Sequence, residues 1–432
     1  MHASRDQAGG PPLSGSERGS PLRTFRALQD RNFRLLWTGF AVSAVGTWMQ
    51  IVAQSLLVLS LTHGSAAALG TVSLAQAFSF LLFAAAGGTA ADRFDKRRLL
   101  LLTQSLMMGF ALLLGVLTAT GGIRFWMVLV VAFASSATLS FDQPTRNALM
   151  ASLVPKEHLM NAVSLQSAVF NGASVLGPAL AGLTLSRIGY SGNFFLNAAS
   201  FIAVLAALLL LRTPAEQGRA RPSGRLLDSV REALQYVRRD AVLPSVVSAY
   251  GALLFFGPSA ALALPLFAEQ VLHAGPAQLG MLFSAVGAGT VIGALIIASL
   301  GDSPRKGRLV FGSILLWVVA LAVFGSSESL RVSVPALLVL GAAQNAAGAT
   351  TVTLLQTRVP PEMRGRAMSL NTLLIMCVRP LGDFPAGAVI GRLGFRPAVL
   401  LGATLVGATL VTLFVARPAL GASESIGGDD DA

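Results

Sequence analysis

The sequence predicts an all-α membrane protein, with about twelve transmembrane helices in two six-helix halves and both termini on the cytoplasmic side. Three observations carry this: an unusually apolar composition, a regular alternation of long apolar stretches with short charged loops, and an internal repeat. Of 432 residues, 53% are hydrophobic and 12% charged, and the mean hydropathy is +0.67. A soluble chain must cover its surface with polar groups, and this composition does not supply enough of them. Lipid therefore solvates much of the exterior.

A helix crosses the hydrocarbon core with ~20 mostly apolar residues. Stretches of that kind run approximately over 35–60, 66–90, 98–120, 125–146, 162–186, 192–211, 242–268, 277–300, 309–326, 332–355, 367–391 and 397–416. With the N-terminus inside, Arg93, Lys96, Arg97, Arg98, Arg146, Lys156, Arg305, Lys306, Arg308, Arg358, Arg364 and Arg366 all fall on the cytoplasmic side. The outside keeps only Arg124, Arg187, Arg331, Arg392 and Arg396. This asymmetry sets the orientation and agrees with an even number of spans.

The expected organisation is a disordered cytoplasmic tail over 1–32, a first half over 33–212, a cytoplasmic linker over 213–240, a second half over 241–417 and an acidic disordered tail over 418–432. The N-terminal tail is rich in Gly, Pro, Ser and Arg and lacks the apolar core of a signal peptide, so the first span acts as its own insertion signal. Within the linker, Leu226, Leu227, Val230, Ala233, Leu234 and Val237 recur at helical spacing between charged residues. They predict either an amphipathic helix along the membrane surface or a simple helical linker.

The halves repeat. An offset of 210 places His63 on His273, Gly70 on Gly280, Lys96 on Lys306 and Arg98 on Arg308. An offset of 205 places Pro155 on Pro360, Gly182 on Gly387, Arg187 on Arg392 and Gly189 on Gly394. Apolar helices resemble one another by chance, but matched charged, Pro and Gly positions in loops point to a duplication.

Other function classes find little support. No G-x-x-x-x-G-K-[ST] phosphate loop is present, which leaves an ion or solute gradient as the energy source. Cys377 is the only cysteine and the four histidines lack paired metal-ligand spacing, so no metal and no cofactor are expected. The net charge of +12 reads as cytoplasmic-loop bias rather than a nucleic-acid surface. No cluster at catalytic spacing suggests an enzyme.

The loop after the second span runs from Gly88 through Asp92, Arg93 and Lys96 to Arg97 and Arg98. Gly87 and Gly88 let helices approach closely, and Asp92 at a helix end can meet a cation or a helix N-terminus. This string resembles the G-x-x-x-D-[RK]-x-x-[RK]-[RK] motif of the major facilitator superfamily, with Asp95 where that family commonly has Gly. The resemblance implies the major facilitator fold and a conformational latch built from Gly88, Asp92, Arg93, Lys96 and Arg97, met by Asp142 and Arg146 at the end of the fourth span. In the second half, Asp302 and the basic residues after it keep part of the pattern. The fifth-span run around Gly177, Pro178 and Gly182 is similar to the superfamily's antiporter motif, with Ala173 and Ala181 at two glycine positions, and implies export. The opening Asn32-Phe33-Arg34 with Trp37, the run from Phe141 to Asn147, and Asn161 to Leu165 resemble the enterobactin exporter group.

Arg379 and Asp383 lie deep in the eleventh span, four residues apart. Their shared helix face predicts mutual pairing that lowers the cost of burying charge. Asp383, Arg379 and Glu269 are the candidates for proton coupling. By analogy with the fold, cavity candidates are Trp48, Gln50 and Gln54 on the first span, Tyr250, Phe255 and Phe256 on the seventh, and Gln344 and Asn345 on the tenth. The resulting expectation is a proton-coupled exporter of a hydrophobic or amphiphilic compound such as a siderophore, drug or metabolite. It would be a monomer in the inner membrane whose partners are its small-molecule substrate, protons and lipid. An uptake permease and a non-transporting scaffold or receptor are the alternatives.

Overall fold

A computed structural model describes residues 26–211, 226–301 and 305–416. The remainder of both tails, most of the linker's first part and Asp302 lie outside the described residues. Regular secondary structure among the described residues is helical throughout. In order the helices are α1 (Arg31–Leu61), α2 (Ala66–Arg93), α3 (Lys96–Ala119), α4 (Phe125–Ser152), α5 (Leu159–Leu210), α6 (Leu226–Arg239) and α7 (Leu243–Phe256). They continue as α8 (Ala260–Gln270), α9 (Pro276–Leu300), α10 (Lys306–Ser326), α11 (Leu330–Arg358), α12 (Arg364–Leu373), α13 (Arg379–Leu393) and α14 (Phe395–Ala416).

Eleven helices, counting α7 with α8 and α12 with α13 as single runs, are long and apolar enough to cross a membrane. The fifth has 52 residues and turns at Gly189, where φ is +66°. At 1.5 Å per residue it would be about 78 Å long if straight, more than twice the ~30 Å hydrocarbon core. It therefore supplies two crossings, and Gly189 makes the turn because a side chain is strained in the left-handed region. Exposed side chains such as Phe78, Leu82, Leu102, Val130, Leu209 and Val411 form an apolar exterior suited to acyl chains.

Within the first part, α1 and α3 pack on α5, and α2 packs on α4. Within the second, α11 packs on α9 and α10, and α14 on α10 and α7. The main contacts between the two groups are α5 on α9 and α2 on α13. Backbones approach closely there: a Cβ added to Gly280 would lie 2.5 Å from the Pro178 carbonyl oxygen and 3.0 Å from the Gly182 Cα. One added to Gly70 would lie 2.8 Å from the Asp383 carbonyl oxygen. These contacts sit toward the end of the bundle expected to face outside. At the other end, Met160 and Phe170 on α5 and Leu295 and Leu300 on α9 are exposed.

The backbone carries a mark of internal correspondence. Among the described residues the non-glycine positions with positive φ are His63 (52°) and His273 (46°), which the offset of 210 aligns. Gly189 (66°) and Gly394 (84°), aligned by the offset of 205, share the same left-handed conformation.

Two details depart from the sequence reading. Part of the expected N-terminal tail is folded: Ala27 is buried and its N–H donates to Asn161 Oδ1 at 2.9 Å. Just beyond it, Trp37 Nε1 donates to the Leu165 carbonyl at 3.0 Å, so Asn161 and Leu165 anchor the entry into α1. And α6 has a protein-facing side: Ala233 and Val237 are buried against α12 and α7, Tyr236 Oη donates to the Arg358 carbonyl at 3.0 Å, and Glu232 pairs with Arg366.

Candidate functional site

The loop from α2 to α3 is built by capping. The Asp95 carboxylate accepts the Arg98 N–H at 2.7 Å and starts α3 as its N-cap, so this residue replaces a glycine turn with a helix start. Arg97 reaches back to the C-terminus of α5, donating from Nε to the Leu208 carbonyl (2.6 Å) and from Nη2 to the Leu209 carbonyl (2.7 Å). A guanidinium there satisfies terminal carbonyls and meets the negative end of the helix dipole. Asp92 and Arg93 are exposed at this loop, and Lys96 is half-buried. The expected close approach at Gly88 is corrected: a Cβ there would meet nothing within 4 Å, because Gly87 is the position pressed against the Ser140 backbone of α4.

Asp142 is 2% exposed yet fully engaged. Its Oδ1 accepts from Thr103 Oγ1 at 2.9 Å and from Gln104 Nε2 at 2.6 Å, and its Oδ2 lies 3.8 Å from Arg146 Nε. The Arg146 guanidinium in turn sits 5.1 Å above the Phe40 ring. Thr103 and Gln104 were not singled out in the sequence, since uncharged polar residues inside an apolar span give no distinctive signal.

The fifth-span motif is a packing surface on two sides. The Gly177 backbone lies against the Trp48 Cβ, and Gly182 against Pro276 and Gly280 of α9. Trp48 also meets Phe170 edge to face, with centroids 5.9 Å apart.

The seventh span, expected to be continuous, is broken. α7 ends at Phe256 and α8 begins at Ala260, because Gly257 and Pro258 interrupt the helical ladder. Gly257 is required where the buried Trp317 ring crosses the break, leaving no room for a Cβ. Ser259 then caps α8, accepting the Leu262 N–H at 3.2 Å. α13 presses its Gly382 backbone against Phe255 at this point. That contact delivers Asp383, 3% exposed, to the break, where Oδ1 accepts the Ser259 N–H at 2.9 Å. A carboxylate at a half-helix N-terminus meets a free donor and the positive end of the dipole. α2 comes up to the same place from the other group of helices, with Gly70 against the Asp383 and Phe384 backbone.

The predicted Arg379–Asp383 ion pair is therefore not made; no ion pair joins them. Arg379 instead donates from Nη2 to Gln344 Oε1 of α11 at 2.8 Å. A π turn over Leu374–Val378 directly precedes Arg379, ahead of Pro380, which has no N–H to continue the ladder. Spacing of four makes the pair possible, but the helix break offers Asp383 a donor already in place.

Other cavity candidates are distributed. Gln50 accepts from Asn197 Nδ2 at 2.6 Å, which ties α1 to α5. Gln54 is half-buried on α1, and Asn345 keeps a buried Oδ1 without a hydrogen-bond partner. Tyr250 is buried with its hydroxyl toward Gly348, and Phe255 and Phe256 stack edge to face at 5.2 Å. Glu269 is exposed at the end of α8, beside Gly64 in the α1–α2 turn.

A multi-pass helical bundle with charges buried at its internal boundary and a latch-like loop has the makings of a membrane transporter. The sequence profile of the family described as transmembrane secretion effector matches residues 22–429, and the chain belongs to this family within the major facilitator superfamily. It is 23% identical over 386 residues to macrolide efflux protein A of Streptococcus pyogenes, covering 87% of this chain and 93% of that one. It is 28% identical to the enterobactin exporter of Citrobacter koseri, covering 88% and 89%. Among solved structures, a POT family transporter in complex with 5-aminolevulinic acid superposes with a TM-score of 0.74 at 12% identity, covering 91% of this chain and 97% of the other. That likeness shows the fold. The relatives and fold neighbours are transporters rather than enzymes.

Proposed function

We propose that this chain is a proton-coupled exporter that moves a small hydrophobic or amphiphilic compound across the inner membrane by alternating access. Two homologous six-helix halves rock about the α5–α9 and α2–α13 contacts, with both termini cytoplasmic. The matched left-handed positions His63 with His273 and Gly189 with Gly394 support the duplication. Contacts sealing the outer end, with α5 and α9 exposed at the inner end, correspond to an arrangement open to the cytoplasm.

The observation that carries the reading is the position of Asp383. Its carboxylate sits where α2, α8 and α13 meet, so separating α2 from α13 to open the outer side lays this group open to external water. A proton taken up there weakens the hold on the Ser259 N–H, and its release to the inside restores it. Substrate leaving as protons enter is then exchange through one boundary. Efflux names among the relatives and the antiporter-like packing of Gly177, Pro178 and Gly182 support the outward direction.

The test is flux in proteoliposomes carrying the full chain under an imposed pH gradient. The proposal expects gradient-dependent movement toward the compartment equivalent to the outside. Movement indifferent to the gradient would remove the coupling, and absence of movement for every compound tried would favour a scaffold.

A further inference from the structure

Arg379 makes no ion pair among the described residues, and Asp383, one turn away on the same helix, acts on it only at a distance. Its one hydrogen-bonded partner is the neutral Gln344, and its buried Nε has no partner. The nearest acid along its own helix, Asp383, is committed to Ser259. A cation in the middle of a membrane helix is costly to insert, and a single amide offsets only part of that cost. Tyr250 of α7 places a hydroxyl against Gly348, one turn along α11 from Gln344 and within the field of Arg379. Three elements of the second half, α7, α11 and α13, thus bring polar side chains to one place, with Arg379 as its cation.

We infer that Arg379, fixed by Gln344 and assisted by Tyr250, is an oxyanion subsite and that the transported compound is an amphiphilic acid. Resting on the exporter reading, this narrows its substrate class. Arg suits the task because its planar fork offers two parallel donors to a carboxylate-like group while Gln344 holds one edge still. The aromatic side chains Phe255 and Phe256, on the next turn of α7, suit the apolar body of such a molecule. When the acid leaves, Asp383 is the anion one turn away on the same helix.

The experiment uses the full-length chain in lipid nanodiscs and proteoliposomes with aromatic acids paired to their own carboxamides, beginning with dansylglycine and dansylglycinamide. The acid is expected to bind about tenfold or more tightly than the amide, the scale of one charge-assisted hydrogen bond. R379Q removes that preference while leaving amide binding in place, which also reports that the variant is folded, and R379K keeps part of it. Equal binding of acid and amide, or a preference that survives R379Q, overturns the inference, and so does transport confined to neutral compounds. In those cases flux continues and the exporter reading stands. If no compound moves in any gradient, the exporter reading fails and this subsite falls with it.

Discussion

Asp142 and Asp383 are both buried carboxylates in membrane helices with an arginine four residues away, and they are held in opposite ways. Asp142 is enclosed by side chains of its own group of helices, Thr103 and Gln104 on α3 and Arg146 on α4. Asp383 makes no contact ion pair with its arginine and relies on a backbone N–H exposed by a helix break, at the boundary with α2. A charge whose partners all move with it is structural. One whose surroundings separate when the molecule changes shape is available to couple.

The sharpest way to break this contrast is D383N. It is expected to lower gradient-driven accumulation in proteoliposomes by about tenfold or more, as befits loss of a titrating group rather than of a contact, with substrate binding retained. Full transport in the variant would abolish the distinction. The complementary change, D142A, orphans the Gln104 amide and leaves Arg146 without its carboxylate, and is expected to lower stability by about 2–3 kcal/mol, read from thermal unfolding in detergent. Transport by the protein that remains folded should still respond to the gradient, and loss of that response would make Asp142 a coupling residue too.

A smaller effect tests the boundary itself. G280V places a branched side chain against Pro178 and Gly182, and a misfit of this kind costs about 1–3 kcal/mol in the closed outer seam. Spin-label distances across α5 and α9 should lengthen at the outer end, while unchanged distances would show that the seam is not a moving contact. R97Q removes two hydrogen bonds to the end of α5 and is expected to cost about 1–2 kcal/mol, again by thermal unfolding. The least is expected of E232Q, whose pairing with Arg366 is 45% exposed on each side and worth a few tenths of a kcal/mol.

The fold was legible because hydropathy and loop charge act over ~20 residues at a time. Small local events do not perturb such averages, which is why the spans and the matched His63 and His273 emerged while the break at Gly257 did not. Gly257-Pro258-Ser259 is the signal that marks it, but it sits in a 28-residue stretch of high hydropathy that reads as a single crossing. The partners of Arg379 show a second limit. Spacing of four says which groups can meet on one helix, whereas the choice of Gln344 and Ser259 was made by α11 and α8, which approach α13 from elsewhere in the chain. Thr103 and Gln104 are the same case on α3. The Asp95 cap is a further case: the sequence showed Asp in place of a glycine, and its role as the N-cap of α3 came only from the structure.

The turn at Gly189 has a structural consequence. The two crossings of α5 are joined by the single turn at Gly189 rather than by a loop, so the two ends of the hairpin belong to one element. One end carries Gly182, seated on α9, and the other carries Leu208 and Leu209, gripped by Arg97. The seam with α9 and the basic loop after α2 are thus both tied to one continuous helical hairpin.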